Sequence, residues 1–407
     1  MRDYKKYNIL LIAPAIDPND VGEAFVGFKW AENLNEKFEL TILTLTKKGH
    51  ESILEKIPEA RVISWNEPLF FWRFERFNSM FKPWYPFFYF KARQWIKKQL
   101  LINGNEFDLA FQLTPMAMRY PSPVNGLNIP YVMGPVGGGV ASIKAFKREL
   151  KKVPWYTKFR FIDGFRLRYD PILRKTYFNA SLIIGTAPHI KRLVEKFPVV
   201  NNVVVINENG VDKIHEIKRS IKQQVKLLYV GRVIRTKGVR DFIRAIALLD
   251  DSLDIHVDIV GDGEDLKYCQ DEAKKLRSKE KIHFHGKLKR ADVDKFYENA
   301  DVFVFPSFRE PSGGVVIEAM SYGIPQVVAD YGGPASIVTN ETGIKIKPEG
   351  VESYPIEIAN AITTLVLNPL LRKKMSEASY KHVENNYLWE NKIQYVSDLL
   401  VDLIERK

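Results

Sequence analysis

Short apolar runs recur along the chain, each feeding a loop that carries Gly or Pro. Several of those loops lead into segments with apolar residues at helical spacing. The first run, Asn8 to Pro14, predicts a buried strand. A helical pattern then covers Ala24 to about Lys37, and Phe38 to Leu45 predicts a second strand. Further strands are predicted at Phe107–Leu113, Pro130–Met133, Ser181–Thr186 and Val203–Ile206, with a helix from about Pro188. Strand, loop, helix and strand in that order suit a parallel sheet, whose neighbouring strands need a crossover connection. A polar run, Lys213 to Gln224, interrupts the pattern. Beyond it a second series of strands is predicted at Lys226–Val230, Ile255–Val260, Ile282–Leu288, Asp301–Phe305 and Gln326–Ala329. The fold class expected is α/β.

The most informative stretch runs from Phe303 to Gly333. A buried-strand run feeds the loop Pro306 to Gly314, then a short helix pattern from Val315 to Tyr322, closed by Gly323 with Pro325 just beyond. Glycines at a helix entrance leave backbone N–H groups free at the positive end of the helix dipole, which suits an anion. Glu310 lies in the loop and Glu318 about one turn into the helix. Helical side chains lean back toward the N-terminus, so Glu318 is expected to point toward the same mouth as Glu310. Two acids beside an anion site make sense if they accept hydrogen bonds from the hydroxyls of a sugar or a ribose. The alternative is a pair of surface charges on an ordinary α/β loop.

The ordered residues Glu310-Pro311-Ser312-Gly313-Gly314-Val315-Val316-Ile317-Glu318-Ala319-Met320, then Gly323-Ile324-Pro325 and Gly332-Gly333-Pro334, resemble the E-x7-E signature of the family-four retaining glycosyltransferases. The match runs in order over about residues 205 to 340. The resemblance implies the GT-B architecture, two facing Rossmann-like domains with parallel sheets and a C-terminal helix that crosses back to the N-domain. On that plan residues 1–206 form an acceptor-side domain together with the C-terminal helix 385–407. Residues 207–224 form a linker, and 225–384 a domain that binds the nucleotide sugar.

Other motifs extend the resemblance. Lys226–Val230 feeds a turn carrying Arg232 and, five residues on, Lys237. Two fixed cations at the carboxyl edge of a parallel sheet suit a nucleotide ligand, and the resemblance assigns both to the donor diphosphate. Ser312, Gly313 and Gly314 belong to the same donor set, and so does the segment with Lys287 and Leu288, which in the family cradles the base. Asn209-Gly210-Val211-Asp212 and Gly261-Asp262-Gly263 are similar to the family's NGVD and GDG turns. In the first half, Gly22 resembles a family glycine loop near the donor phosphates, with one Gly where two are common. Gly134-Pro135-Val136-Gly137-Gly138-Gly139 resembles a segment facing the donor, with Gly137 and Gly138 as the close-approach residues. Many members place a histidine in this neighbourhood that touches the reacting sugar. Here the nearest in sequence are His50 and His189. His283 and His285 share one face of a strand with no third ligand in view, and read as packing or surface histidines. Asp292-Val293-Asp294 spells D-x-D inside a helical pattern and is not read as a metal motif.

Composition changes the picture in two places. One cysteine, Cys269, leaves no intrachain disulfide and suggests a reducing compartment. No signal peptide is expected and no run reaches the ~20 apolar residues of a spanning helix. The expected place is therefore the cytoplasm, with any membrane contact peripheral. The chain has 61 basic and 49 acidic side chains, a formal charge of +12. From Lys144 to Lys175 eleven basic residues face only Glu149, Asp163 and Asp170. From Leu69 to Leu101 thirteen aromatics are interleaved with seven basic residues and one acid, Glu75. Such a stretch fits an interfacial element on an anionic membrane surface, a domain core with a solvated basic face, or a surface that stacks on bases. Together the two stretches are expected to form one cationic-aromatic face on the first domain.

The function that the resemblance implies is metal-independent, retaining transfer of a sugar from a nucleotide diphosphate sugar, UDP- or GDP-linked. The recipient is a glycan or lipid-linked acceptor, as in surface polysaccharide or glycolipid synthesis. Glu310, Arg232 and Lys237 carry the chemistry, and Glu318 holds the ribose. No cofactor and no metal are expected, the nucleotide sugar being the substrate, and no nucleic-acid partner. The alternatives are a nucleotide-sugar epimerase or hydrolase on the same fold and a nucleic-acid-modifying glucosyltransferase.

Overall fold

A computed structural model gives the fold. It describes residues 3–20, 22–47, 53–68, 81–140, 143–150, 161–194, 202–217 and 223–406. The chain divides into two compact units. The first comprises Met1–Gly139, Pro154–Glu208 and Glu390–Lys407; the second, Val140–Val153 and Asn209–Trp389. Residues 218–222 of the expected linker lie outside the described residues.

Seven strands build the sheet of the first unit: β1 (Asn8–Ile12), β2 (Glu39–Thr46), β3 (Arg61–Asn66), β4 (Leu109–Gln112), β5 (Tyr131–Val136), β6 (Leu182–Gly185) and β7 (Val203–Val205). All are parallel, in the order β3-β2-β1-β4-β5-β6-β7. In β1 every residue after Asn8 is buried, because helices cover both faces of an all-parallel sheet. Six strands build the second sheet: β8 (Val225–Val230), β9 (Ile255–Val260), β10 (Ile282–Gly286), β11 (Val302–Phe305), β12 (Gln326–Ala329) and β13 (Gly343–Ile346). They too are parallel, in the order β10-β9-β8-β11-β12-β13. The expected α/β class with two parallel-sheet, Rossmann-like domains is therefore what the chain forms.

The described residues cover part of the aromatic stretch. Residues 69–80 lie outside the described residues. Beyond them the helix Tyr85–Asn103 buries Tyr85, Phe88, Ala92 and Ile96 along one stripe, at helical spacing, against the first core. Trp84 is buried with them. These aromatics are core, and Phe90, 68% exposed, is the exception.

The basic stretch 144–175 departs from the expected single face on the first domain, because it is shared between the units. Residues 151–160 lie outside the described residues. Ahead of them, Phe146 stacks on Phe308 with ring centroids 4.2 Å apart. Glu149 pairs with Arg235 and, at 3.0 Å, with Arg244. Arg235 also pairs with fully buried Asp241 at 2.6 Å, and its guanidinium lies 5.3 Å from the Phe146 ring centroid. Burying a guanidinium costs free energy unless carboxylates pair with it, and Glu149 supplies one of them. That requirement fastens this basic-looking segment to the second unit.

The last helix, Trp389–Glu405, joins the first unit from Glu390 onward. Tyr4 donates to Asp398 at 2.8 Å and Tyr7 to Glu405 at 2.6 Å. Lys392 is 5% exposed and donates to the Asn207 carbonyl at 2.9 Å. Burial drives the Lys392 ammonium down to about 7, against the pull of Glu208. In the unfolded chain a lysine titrates near ~10.4, so between these values the unfolded state binds more protons and stability rises with pH. Thermal melts of the full chain are therefore expected to show a midpoint that climbs between pH 7 and about 10. Lys392→Met should flatten that slope, and an unchanged slope would remove Lys392 as its source.

Candidate functional site

In the second sheet the strand order reverses between β8 and β11, which pair through Val302 with Leu227 and Phe303 with Leu228. Ligands of open parallel sheets bind outside the carboxyl ends at such a reversal, because loops there diverge to opposite faces. The loop after β8 carries Arg232 and Lys237, and the loop after β11 carries Glu310, Ser312 and Gly313.

Backbone constraints fix both loops. Tyr229, buried and stacked on Phe305, donates its hydroxyl to the Arg232 carbonyl at 2.9 Å. Gly238 has φ 80°, and a β-carbon there would meet the Pro306 carbonyl oxygen at 2.1 Å. The Gly333 N–H donates to the Glu310 carbonyl at 2.8 Å.

Lys237 and Glu310 form an ion pair with side-chain exposures of 9% and 12%. Lys237 bonds Oε2 of Glu310. Its other oxygen, Oε1, accepts from the Ser312 N–H at 3.2 Å, the Ser312 hydroxyl at 3.2 Å and the Gly313 N–H at 3.4 Å. Gly313, φ 83°, precedes the helix Gly314–Ser321. The helix entrance therefore does hold an anion, and that anion is the carboxylate of Glu310. Burial alone would push the Glu310 carboxyl up. The Lys237 ammonium and the N–H donors of Ser312 and Gly313 outweigh it and hold the group below the usual carboxylate range.

Glu318 has a different set of partners. Arg290 donates to Oε1 at 2.8 Å and the Tyr297 hydroxyl to Oε2 at 3.2 Å. Burial raises the Glu318 carboxyl above its ordinary value, against the pull of Arg290 and Tyr297. The two glutamates thus share a loop–helix unit but no partner. Arg232 presents an exposed side chain; Lys287 is exposed and Leu288 half-buried against the second core. A β-carbon on Gly314 would meet Asn209 Oδ1 at 2.9 Å.

Gly22, Gly137 and Gly138 belong to the first unit. Gly22, φ 66°, caps the helix Glu23–Asn35. The Gly137 N–H donates to the Met116 carbonyl at 2.5 Å. His189 Nε2 lies 2.8 Å from the Gly138 carbonyl, so the ring reaches the glycine segment across 51 positions of sequence. Sequence distance had concealed this placement, and the strand β6 that carries the chain back beside β5 is its cause. Arg290, Tyr297 and Arg235 were also missed. Arg290 and Tyr297 sit seven positions apart on the helix Arg290–Asn299 that also carries Asp292 and Asp294, so a two-turn spacing was the available signal. Among the described residues no group of three or more His, Cys, Asp and Glu is arranged to hold a metal ion, and no helix is long and apolar enough to cross a membrane.

Two outcomes follow from the pair. Gly238→Ala should cost about 2 kcal/mol or more in chemical denaturation, since neither the φ nor the space suits a side chain. Glu310 is held below its unfolded value, so its stabilisation is present above about pH 4.3 and lost as pH falls through its folded value. The stability gap between the wild type and Glu310→Gln should be about 3 kcal/mol at pH 7 and close below about pH 4. A gap that persists in acid would show that Glu310 is not ionised in the folded chain.

Comparison with known proteins adds the following. Along 190 residues, 46% of this chain and 47% of the relative, the sequence is 32% identical to an uncharacterized glycosyltransferase of Methanocaldococcus jannaschii. The chain spans about half the length of the curated relatives it matches first. Among solved structures, sucrose-phosphate synthase from Thermosynechococcus elongatus is similar over 98% of this chain and all of that one, with a TM-score of 0.69 at 17% identity. Anabaena HepE, solved in complex with UDP-glucose, is similar over 97% and 99% of the two chains, with a TM-score of 0.62 at 16% identity. These likenesses show a shared fold. Residues 210–382, the greater part of the second unit and all of the Lys237–Glu310 site, match the family described as glycosyl transferases, group 1.

Proposed function

We propose that the protein is a retaining glycosyltransferase that moves a sugar from a nucleotide diphosphate sugar, UDP- or GDP-linked, to a glycan or lipid-linked acceptor. One observation carries this reading. At the strand-order reversal of the second sheet, Lys237 and the N–H groups of Ser312 and Gly313 converge on a single anion, the Glu310 carboxylate. The same donors suit a diphosphate. The group 1 match over residues 210–382 and the UDP-glucose bound by HepE favour a nucleotide sugar as the ligand.

The chemistry follows from where charge develops. As the sugar departs, negative charge grows on the diphosphate and the anomeric carbon becomes oxocarbenium-like. Arg232, Lys237 and the helix entrance at Gly313 and Gly314 stabilise the leaving group. Cations from side chains supply this charge, so the proposal is for metal-independent transfer with no cofactor. When the diphosphate takes over Lys237 and the N–H donors, Glu310 is released. Held in its ionised form, it then accepts hydrogen bonds from sugar hydroxyls and places the anomeric carbon. Glu318, fixed by Arg290 and Tyr297, holds the ribose hydroxyls, and Lys287 and Leu288 border the base. Retention follows if the acceptor hydroxyl attacks on the face the diphosphate leaves, with a diphosphate oxygen taking the proton.

A surface-polysaccharide or glycolipid product is favoured by the exposed side chains of the segment 164–178. Phe165 is 62% exposed, Tyr169 57% and Ile172 55%, amid Arg166, Arg168, Arg174 and Lys175. Aromatic and basic groups in alternation suit peripheral contact with an anionic membrane at its cytoplasmic face.

A panel of nucleotide sugars with mass spectrometry of the products tests the proposal and separates transfer from hydrolysis or epimerisation. The double substitution Arg232→Ala with Lys237→Ala should lower turnover by a factor of about 100 or more and weaken UDP or GDP binding in calorimetry. Unchanged turnover would refute the assignment. Co-sedimentation with anionic liposomes at low salt tests the membrane contact, and no binding counts against it.

A further inference from the structure

The strand order of the first sheet also reverses, between β1 and β4. The connections on the carboxyl side of that sheet carry a second close pair of opposite charges. Glu23 opens the helix after β1, Lys82 lies in the connection after β3, and Met116 follows β4. Lys82 Nζ donates to Glu23 Oε1 at 2.6 Å, and the Met116 N–H donates to the same oxygen at 2.9 Å. The Lys82 side chain is 11% exposed and that of Glu23 31%. The architecture repeats, in miniature, what Lys237, Glu310 and Gly313 do in the second unit: a lysine and a backbone N–H converge on one glutamate at a reversal of strand order.

Two features set this pair apart from an ordinary ion pair. Lys82 has φ 44°, and with Asn128 it is one of two non-glycine residues in the left-handed region among those described. A β-carbon disfavours that conformation, and residues held in it against preference concentrate at ligand sites. The pair is also incompletely used. An ammonium has three N–H donors and a carboxylate two oxygens. Lys82 makes its one hydrogen bond to Glu23, while both bonds to Glu23 fall on Oε1. Among the described residues, two donors of Lys82 and Oε2 of Glu23 have no hydrogen-bond partner. A half-buried donor and acceptor side by side match a hydroxyl, which gives its proton to a carboxylate oxygen and accepts from an ammonium.

We propose that Glu23 and Lys82 form the binding pair for the sugar hydroxyls of the acceptor glycan, a vicinal diol bridging Glu23 Oε2 and Lys82 Nζ. The assignment of that diol to an acceptor rests on the transfer reaction proposed above; the binding itself does not.

Saturation-transfer NMR on the full chain, with methyl α-glucoside, methyl α-mannoside and methyl α-galactoside as probes, tests the pair, with UDP affinity followed in parallel by calorimetry. At least one glycoside should bind the wild type. Glu23→Gln and Lys82→Met should each weaken it tenfold or more, Lys82→Arg should restore part of the loss, and UDP affinity should not change in any variant. A wild type that binds none of the glycosides overturns the proposal. So does undiminished glycoside binding in both Glu23→Gln and Lys82→Met, which would leave the pair as a structural contact read only in the melting midpoint. Loss of glycoside binding in the variants, in a chain that binds no UDP or GDP, would uphold the pair and overturn the donor reading of the second unit.

Discussion

The arrangement of the second unit depends on one buried ion pair. A lysine ammonium and a glutamate carboxylate taken out of water lose solvation that their mutual attraction alone does not return. Lys237 and Glu310 are kept at that position by a fold that leaves few other arrangements. Two parallel strands diverge there, Gly238 lets one loop lie against the Pro306 carbonyl, and Gly333 ties the Glu310 backbone from the other side. The residual N–H donors of Ser312 and Gly313 then complete the solvation of the carboxylate. The donors at this position are thus already arranged around an anion, the carboxylate that the protein itself supplies.

Glu318 shows the same economy with the opposite sign. It is held by Arg290 and Tyr297, yet burial still raises its carboxyl, whereas Glu310 is lowered. Two glutamates eight positions apart in sequence are thus tuned in opposite directions by their surroundings. Pairs of acids driven apart in this way are common where a protein asks different things of them.

How much of this was legible in the sequence varies with the range of the interactions involved. The parallel sheets were, since strands such as Asn8–Ile12 and Val302–Phe305 are continuous apolar runs followed by loops and helices. The loop from Glu310 to Gly314 was too, because glycine at a helix entrance has a local conformational meaning. Contacts between distant segments were not. Nothing near Gly138 in sequence announces His189, and nothing in a run of lysines and aromatics announces that Phe146 will stack on Phe308. The aromatic stretch was ambiguous for a related reason: Tyr85, Phe88, Ala92 and Ile96 form a core stripe only once the helix has a sheet to lie on.

The contact made by Phe146 and Glu149 has a consequence for how the halves of this chain could be separated. The segment Val140–Val153 is an insertion from the middle of the first half into the second. A fragment begun at Asn209 would leave Phe308 without its stacked ring and take one of two carboxylates from Arg235. Dissection at a single peptide bond therefore yields a second unit with an open seam. An autonomous version would need the residues around Phe146 supplied as a tethered or separate peptide.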